Sequence, residues 1–190
     1  MSASAIDLGQ LLEDSGAILH GHFLLSSGRH SDVYVEKFRI LTQPQVLSAL
    51  CKEIASHFAG LKIDLVAGPT TGGIIIAFEV ARQMGVSAVY VETEGGEKTL
   101  RRGQTIAKGA HVLVVDDVLT TGLSVDETVR AVSRFGGDVV GVGVLIDRAQ
   151  EPMDFGCRMF ASHKVEAESW AAEEVPDWLA KIEITKPGTR

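Results

Sequence analysis

The sequence predicts an α/β fold: a mostly parallel central sheet flanked by helices, with a small N-terminal hood. Short runs rich in Val and Ile, bounded by glycines and polar residues, alternate with segments whose apolar residues recur at helical spacing. Nearly continuous apolar strands that alternate with helices are typical of parallel sheets covered on both faces.

The length of 190 residues suits one domain. We expect an N-terminal helix and hood over about residues 1–42, an α/β core over 43–165 and a C-terminal tail over 166–190. The net charge of -7 argues against nucleic-acid binding. No stretch approaches the roughly eighteen apolar residues of a membrane span, so no membrane partner is predicted.

Cysteine usage and the N-terminus predict a cytoplasmic protein. Cys51 and Cys157 lie far apart and lack the CxxC spacing, so the sequence indicates neither a zinc site nor a disulfide framework. No charged segment followed by an apolar one opens the chain, as a secretion signal would.

The first elements form the hood. Ile6, Leu8, Leu11 and Leu12 are near helical spacing and predict a short helix that stops near Gly16. Two extended pieces follow, one through Leu25 and the other over Val33–Leu41, joined by a Ser-Ser-Gly turn.

The core elements then alternate. A helical stripe runs from Val46 to Phe58, with Pro44 near its start and Gly60 after its end. The later predictions are strands over 63–68, 87–93, 111–118, 138–148 and 158–167, and helices over about 73–84 and 124–135.

Two adjacent acids, Asp116 and Asp117, end the predicted strand "HVLVVDDV". Ligands of open parallel sheets bind beyond the carboxyl ends of the strands. The residues that follow, Thr120–Ser124, offer three hydroxyls, a permissive glycine and the first N–H groups of a helix, which suit a phosphate. The pattern therefore favours a sugar phosphate ligand. The alternative is that Asp117 or Ser124 caps the helix and the threonines form a turn.

These residues carry a resemblance to a known family. "VLVVDDVLTTGLS" resembles the motif with which type I phosphoribosyltransferases bind phosphoribosyl pyrophosphate (PRPP), and "GHFLLSSGRHSDVYVEKF" resembles the hood of the family's orotate branch. "GPTTGGI", "TLRRG", Asp147-Arg148 and the closing "KPGTR" extend the resemblance over most of the chain. The resemblance implies that the ribose 5-phosphate group of PRPP is transferred to orotate. It also implies Mg²⁺ as cofactor and a homodimer with shared active sites.

The resemblance also implies the roles of the acids and of both phosphate loops. Asp116 and Asp117 would hold the ribose hydroxyls and stabilise positive charge on the ribose. The loop "GPTTGG" would hold the pyrophosphate, although it could be a plain strand-to-helix turn. The full PRPP-binding set is Asp116, Asp117, Val118, Leu119, Thr120, Thr121, Gly122, Leu123, Ser124, Thr70, Thr71, Gly72 and Gly73.

A polar segment between Val91 and Gly103 carries three basic residues, Lys98, Arg101 and Arg102. By resemblance it is the catalytic loop, whose cations reach the diphosphate across a dimer interface and, with Asp116 and Asp117, form the catalytic set. The alternative is a solvated hairpin with surface charges.

The base site is also implied by resemblance. Arg148 follows a strand and could pair with the orotate carboxylate through its planar fork, with Thr120 near the base. An Asp147-Arg148 ion pair is the alternative. Ser27, Gly28 and His30 of the hood could cover the base, although a lone histidine is more often on the surface.

Two other functions stay open at this point: transfer to a purine or another base, and PRPP sensing without catalysis. Bacterial relatives carry adjacent basic residues where this chain has Thr93 and Glu94. They also carry lysines where this chain has Gly72 and Ser26. Because these cations are missing here, PRPP sensing without catalysis stays an alternative. For Mg²⁺ we expect no dedicated protein ligands, since it can bind through substrate oxygens and water.

Overall fold

The computed structural model describes residues 7–187. They fall into two compact units: a hood unit, built from the segments up to Val46 and from Val165 onward, and a core unit over Leu47–Lys164. These limits lie close to the predicted ones. The tail thus shares a unit with the hood, and the assignment of a single domain stays a prediction.

The secondary structure alternates as expected through the middle of the chain. In chain order the elements are α1 (Leu8–Asp14), β1 (Ile18–Leu24), β2 (His30–Val35), α2 (Lys37–Leu41), α3 (Pro44–Phe58), β3 (Leu65–Pro69), α4 (Gly72–Met84), β4 (Ser87–Glu94), β5 (Glu97–Thr99), β6 (His111–Leu119), α5 (Leu123–Arg134), β7 (Asp138–Asp147), β8 (Arg158–Lys164), β9 (Ser169–Trp170), a 3-10 turn (Ala172–Glu174), α6 (Asp177–Ala180) and β10 (Ile184–Thr185).

The hood unit contains a four-stranded sheet in the order β10-β1-β2-β9. α1 begins where the Asp7 carboxylate accepts a hydrogen bond from the Gln10 N–H. It ends just before Gly16, whose φ of +71° suits glycine. Ile6, part of the predicted stripe, lies outside the described residues, as do the last three residues of "KPGTR".

The extended piece predicted over Val33–Leu41 is wrong in its second half. β2 ends at Val35, and Lys37–Leu41 form the short helix α2. The Glu36 carboxylate accepts a hydrogen bond from the Phe38 N–H at 3.3 Å, which satisfies a donor at the helix start. The helical turn also buries Ile40 and Leu41 together, whereas a strand would have pointed them to opposite faces.

The core unit contains a six-stranded sheet in the order β5-β4-β3-β6-β7-β8. All neighbouring pairs are parallel except β4 and β5, which are antiparallel. Val112–Val115 in β6 are fully buried, as expected for a central strand of a covered parallel sheet. The predicted α/β class with a mostly parallel sheet is therefore confirmed.

Glycines of "VVGVGV" in β7 let α3 approach the sheet closely. A Cβ atom at Gly141 would lie 2.5 Å from a ring carbon of Phe58, and one at Gly143 would lie 2.6 Å from Cγ2 of Ile54. Cys51, on the same helix, is fully buried, and burial raises the pKa of its thiol to about 12. It acts as a small core residue.

Glu79 on α4 ties this helix to α3. Its carboxylate accepts hydrogen bonds from Arg82 and Gln83 on α4 and from the Ser48 hydroxyl on α3. The Arg82 hydrogen bond, followed by those from Gln83 and Ser48, lowers the pKa of Glu79 to about 2. Because the folded-state pKa lies below the usual one, Glu79 stabilises the fold above about pH 4.5 and loses this effect as the pH falls towards 2.

We therefore expect Glu79→Gln to flatten the acid limb of the stability curve. Solvent screening limits the carboxylate's contribution to about 1 kcal/mol. Melting temperatures measured between about pH 5 and pH 2.5 should fall less for the variant than for the wild type. Glu53→Gln, on the exposed face of α3, is the charge-matched control and should follow the wild type. An unchanged acid limb in Glu79→Gln would contradict the assignment.

Candidate functional site

The carboxyl ends of four neighbouring parallel strands lie along one edge of the core sheet. β4, β3, β6 and β7 are adjacent in that order. Backbone hydrogen bonds connect neighbouring ends: Thr70 N–H to the Val91 carbonyl at 2.9 Å, and Arg148 N–H to the Leu119 carbonyl at 2.8 Å. The predicted segments of the core unit therefore meet at the edge where open α/β sheets bind ligands.

Asp116 and Asp117 are both buried in β6, with 6% and 8% exposure. An Oδ1 of Asp116 accepts from the Asp117 N–H, and Oδ1 of Asp117 accepts from the Val118 N–H, each at 2.8 Å. Since strand neighbours point to opposite faces, the two carboxylates need not repel each other closely. Neither caps the next helix, because the N-cap of α5 is Gly122. The capping alternative is wrong for Asp117 and also for Ser124, which lies inside α5.

The segment Thr120–Ser124 follows β6, whose last two residues are Val118 and Leu119. Thr120 and Thr121 are exposed, and Gly122 has a φ of +74°. α5 begins at Leu123, so N–H groups of its first turn, including that of Ser124, have no partner within the helix. Exposed hydroxyls beside a helix N-terminus suit a phosphate.

The segment Thr70–Gly73, which runs from the end of β3 into the first turn of α4, has very little space around it. A Cβ atom at Gly68 would lie 2.2 Å from the Gly73 carbonyl oxygen, and one at Gly73 would lie 2.5 Å from Cδ of Pro69. The Thr70–Thr71 peptide bond is cis. Thr71 is exposed and α4 begins at Gly72, so the amino end of a second helix opens at the same edge of the sheet. This geometry also suits an anion.

The basic segment is a hairpin rather than an irregular loop. β4 and β5 pair in antiparallel fashion across Gly95 and Gly96, and Lys98 lies in β5. Arg101 and Arg102 follow in a turn and are exposed. The hairpin predicted as the alternative is thus present, and it carries its arginines at the carboxyl end of β4.

Arg148 lies directly after β7 and is half-buried. In the pairing of β6 with β7, Asp147 lies opposite Leu119. Arg148, the next residue, therefore lies at the same edge of the sheet as the end of β6. Asp147 accepts a hydrogen bond from the Ala149 N–H at 2.8 Å, which shapes the turn. A guanidinium is thereby placed one strand away from the acidic pair and its phosphate loop.

The three predicted hood residues, Ser27, Gly28 and His30, belong to the hood unit. Ser27 and Gly28 are exposed in the turn between β1 and β2. His30 is buried, so the expectation of a surface histidine is wrong. Its Nδ1 lies 2.6 Å from Nε2 of His22. The other ring nitrogen of His22, Nδ1, lies 3.2 Å from the Ile182 carbonyl oxygen, near β10. This buried pair connects β1 and β2 to the C-terminal segment.

Glu92 and Gln104 were not predicted. Glu92 is buried in β4 and contacts both Arg101 and Arg102. Gln104 contacts the backbone of Tyr90 in the same strand. The sequence did contain a signal for Glu92. In "SAVYVETE" this acid directly follows the apolar Val91, which is buried, and a charged residue is unusual beside a buried strand position.

No cluster of three or more His, Cys, Asp or Glu that could hold a metal ion occurs among residues 7–187. Over the same residues, no helix has the length and apolar character needed to cross a membrane.

Comparisons with known proteins agree on one family. Residues 39–171 match the phosphoribosyl transferase domain family. The orotate phosphoribosyltransferase of Pelotomaculum thermopropionicum is 46% identical over 180 residues, covering 95% of each chain. That of Caldanaerobacter subterraneus subsp. tengcongensis is 44% identical over 181 residues, again covering 95% of each.

A solved structure agrees. The orotate phosphoribosyltransferase from Aeropyrum pernix is 30% identical, with a TM-score of 0.71, and the match covers 83% of this chain and 93% of that one. The chain therefore belongs to the phosphoribosyl transferase family, within its orotate phosphoribosyltransferase branch.

Proposed function

We propose that the chain transfers the ribose 5-phosphate group of PRPP to orotate, which gives orotidine 5-monophosphate and pyrophosphate in pyrimidine biosynthesis. The observation that carries the proposal is the buried pair Asp116-Asp117, which lies directly before the phosphate-suited start of α5. The choice of orotate is supported by the relatives, whose names specify it.

The chemistry needs no protein nucleophile. A ring nitrogen of orotate attacks the anomeric carbon, and pyrophosphate leaves with the electrons of the broken C–O bond. Positive charge then develops on the ribose. Asp116 and Asp117 would bind the ribose hydroxyls and stabilise that charge, while the two loops align the reactants.

Binding of the phosphates is proposed for two segments. Thr120, Thr121, Gly122, Leu123 and Ser124 would hold the 5-phosphate through hydroxyls and backbone N–H groups, with Val118 and Leu119 leading into the loop. Thr70, Thr71, Gly72 and Gly73 would hold the pyrophosphate, and Lys98, Arg101 and Arg102 would neutralise its charge.

The base would be bound by Arg148 and Thr120 of the core unit, with Ser27, Gly28 and His30 of the hood. Arg148 is suited to the orotate carboxylate because its planar guanidinium can donate two parallel hydrogen bonds.

Mg²⁺ is proposed as the cofactor. The site fits such an ion without a dedicated set of protein ligands, because Mg²⁺ keeps several waters and commonly binds through substrate phosphates. When bound, the ion would neutralise charge on the diphosphate and so ease its departure.

A cytoplasmic homodimer with shared active sites is also proposed. Cys51 and Cys157 are both free thiols, which suits a reducing compartment. On α4, Ile75 and Phe78 are exposed by 43% and 65%, and exposed apolar side chains of this size favour a subunit contact.

Replacing Arg148 with Ala tests the base site. We expect the KM for orotate to rise by about 10- to 100-fold, because a hydrogen-bonded charge partner is lost, while the KM for PRPP changes much less. Steady-state kinetics with each substrate varied in turn measures both. Arg130→Ala, on the exposed face of α5, is the control. Equal rises in both KM values would argue against a base-specific contact.

A panel of bases tests the specificity. Pyrophosphate release from PRPP should require orotate and should stay at background with adenine, hypoxanthine, xanthine or uracil. Release with a purine instead would assign the chain to another base. Binding of PRPP without release on any base would favour a sensor.

A further inference from the structure

Glu92 is a buried acid in the hairpin that carries the basic residues. Its side chain is only 12% exposed. Oε1 lies 2.7 Å from Nε of Arg102, and Oε2 lies 3.4 Å from Nη1 of Arg101. Each oxygen of one carboxylate therefore contacts a different arginine. Arg101 also contacts Glu94, which is far more exposed, at 3.2 Å.

A second contact holds the same turn against β4. The Gln104 side chain accepts from the Tyr90 N–H at 3.0 Å and donates to the Tyr90 carbonyl at 3.4 Å. The Gln104 N–H donates to the Arg101 carbonyl at 3.0 Å, which closes the turn. Arg102 has a φ of +55°, a costly conformation for a residue other than glycine. The turn Arg101–Gln104 is therefore fixed to the strand despite its exposure.

Arg102 faces outward from this anchor. Its Nε donates a hydrogen bond to Glu92, its side chain is 69% exposed, and Nη1 and Nη2 form no hydrogen bond with any of residues 7–187. The hydrogen bond to Glu92 raises the pKa of Arg102, which keeps the guanidinium charged. A guanidinium held at Nε and open at both Nη atoms can bind an anion in a bidentate manner.

We propose that Glu92 is a positioning residue that holds Arg101 and Arg102 ready for the diphosphate of PRPP, an inference that rests on the proposed function. Long side chains lose conformational freedom when they bind a ligand. The contacts with Glu92 already restrict both arginine side chains in the folded protein, so they lose less conformational freedom when PRPP binds. The direction of the change in PRPP affinity distinguishes two effects of removing Glu92. If the acid only repels the anion, its removal should relieve that repulsion and strengthen PRPP binding. If it positions the arginines, its removal should weaken PRPP binding.

Glu92→Gln decides between these signs. Calorimetry should show PRPP binding weakened by about tenfold, and the KM for PRPP should rise similarly while the KM for orotate stays near the wild-type value. Glu97→Gln is the matched control, because it removes the same charge from the same hairpin but contacts Arg134 instead. The control should bind PRPP like the wild type. Equal or tighter PRPP binding by Glu92→Gln would overturn the inference.

Two further variants separate positioning from folding. Glu92→Asp keeps the charge and should recover part of the lost affinity. In an Arg102→Ala background, Glu92→Gln should weaken PRPP binding less than in the wild type, because one of its two targets is gone. An undiminished loss there, or a loss that tracks the melting temperature alone, would overturn the inference.

The binding measurement also separates this inference from the proposed function. Calorimetry measures PRPP binding without orotate. If the wild-type protein binds PRPP but does not consume orotate, the proposed function is overturned. The binding data for the Glu92 variants then still decide the role of Glu92. A wild-type protein that binds no PRPP would overturn both.

Discussion

Replacing Asp117 with Asn is expected to lower turnover by about 100- to 1000-fold while leaving the fold nearly intact. The change is almost isosteric, but it removes the charge that would stabilise the ribose as pyrophosphate leaves, and losses of this size are typical for such groups. The measurement is kcat under saturating substrates, together with the melting temperature of the same preparation.

A matched control exists in the same sheet. Asp138 is exposed at the start of β7, at the opposite edge from the proposed site. Asp138→Asn should leave both kcat and the melting temperature near the wild-type values. Near-normal turnover in Asp117→Asn would refute the role given to the acidic pair.

Gly68→Ala is expected to damage both stability and PRPP binding. Its Cβ atom would lie 2.2 Å from the Gly73 carbonyl oxygen, and neither backbone segment can move without displacing Thr70–Gly73. Forced contacts of this kind cost about 1–3 kcal/mol. Chemical denaturation should show the lost stability, and the KM for PRPP should rise because the pyrophosphate loop is displaced.

Gly60→Ala is the control for this substitution. Gly60 is exposed, and a Cβ atom there would meet no other atom within 4 Å. The control should therefore keep both properties. If Gly68→Ala also kept both, the tight approach of β3 and α4 would not be a requirement of the site.

The core could be predicted from the sequence because its signals are local. Buried parallel strands are continuous apolar runs, and the stripe Val46–Phe58 shows the helical period directly. The acidic pair was recognisable because two charges at the end of such a run are costly unless they serve a ligand. The placement of Arg148 at the carboxyl end of a strand also followed from the sequence, whereas its place beside the end of β6 is shown only by the strand order of the structure.

The features that the sequence did not predict depend on contacts between segments that are distant along the chain. β9 and β10 are two-residue strands that exist only through pairing with β2 and β1, so their sequence carries no periodicity. The contact of His30 with His22 depends on the register of the hairpin. The role of Glu92 depends on the fold of the turn at Arg102, whose φ of +55° no sequence pattern indicated.

The most direct test of the account follows orotate by its ultraviolet absorbance after protein, PRPP and Mg²⁺ are added, with each component omitted in turn. The account predicts a loss of absorbance that requires all components, with formation of orotidine 5-monophosphate. Unchanged absorbance with the complete mixture, from a protein that binds PRPP, would contradict the proposed transfer to orotate.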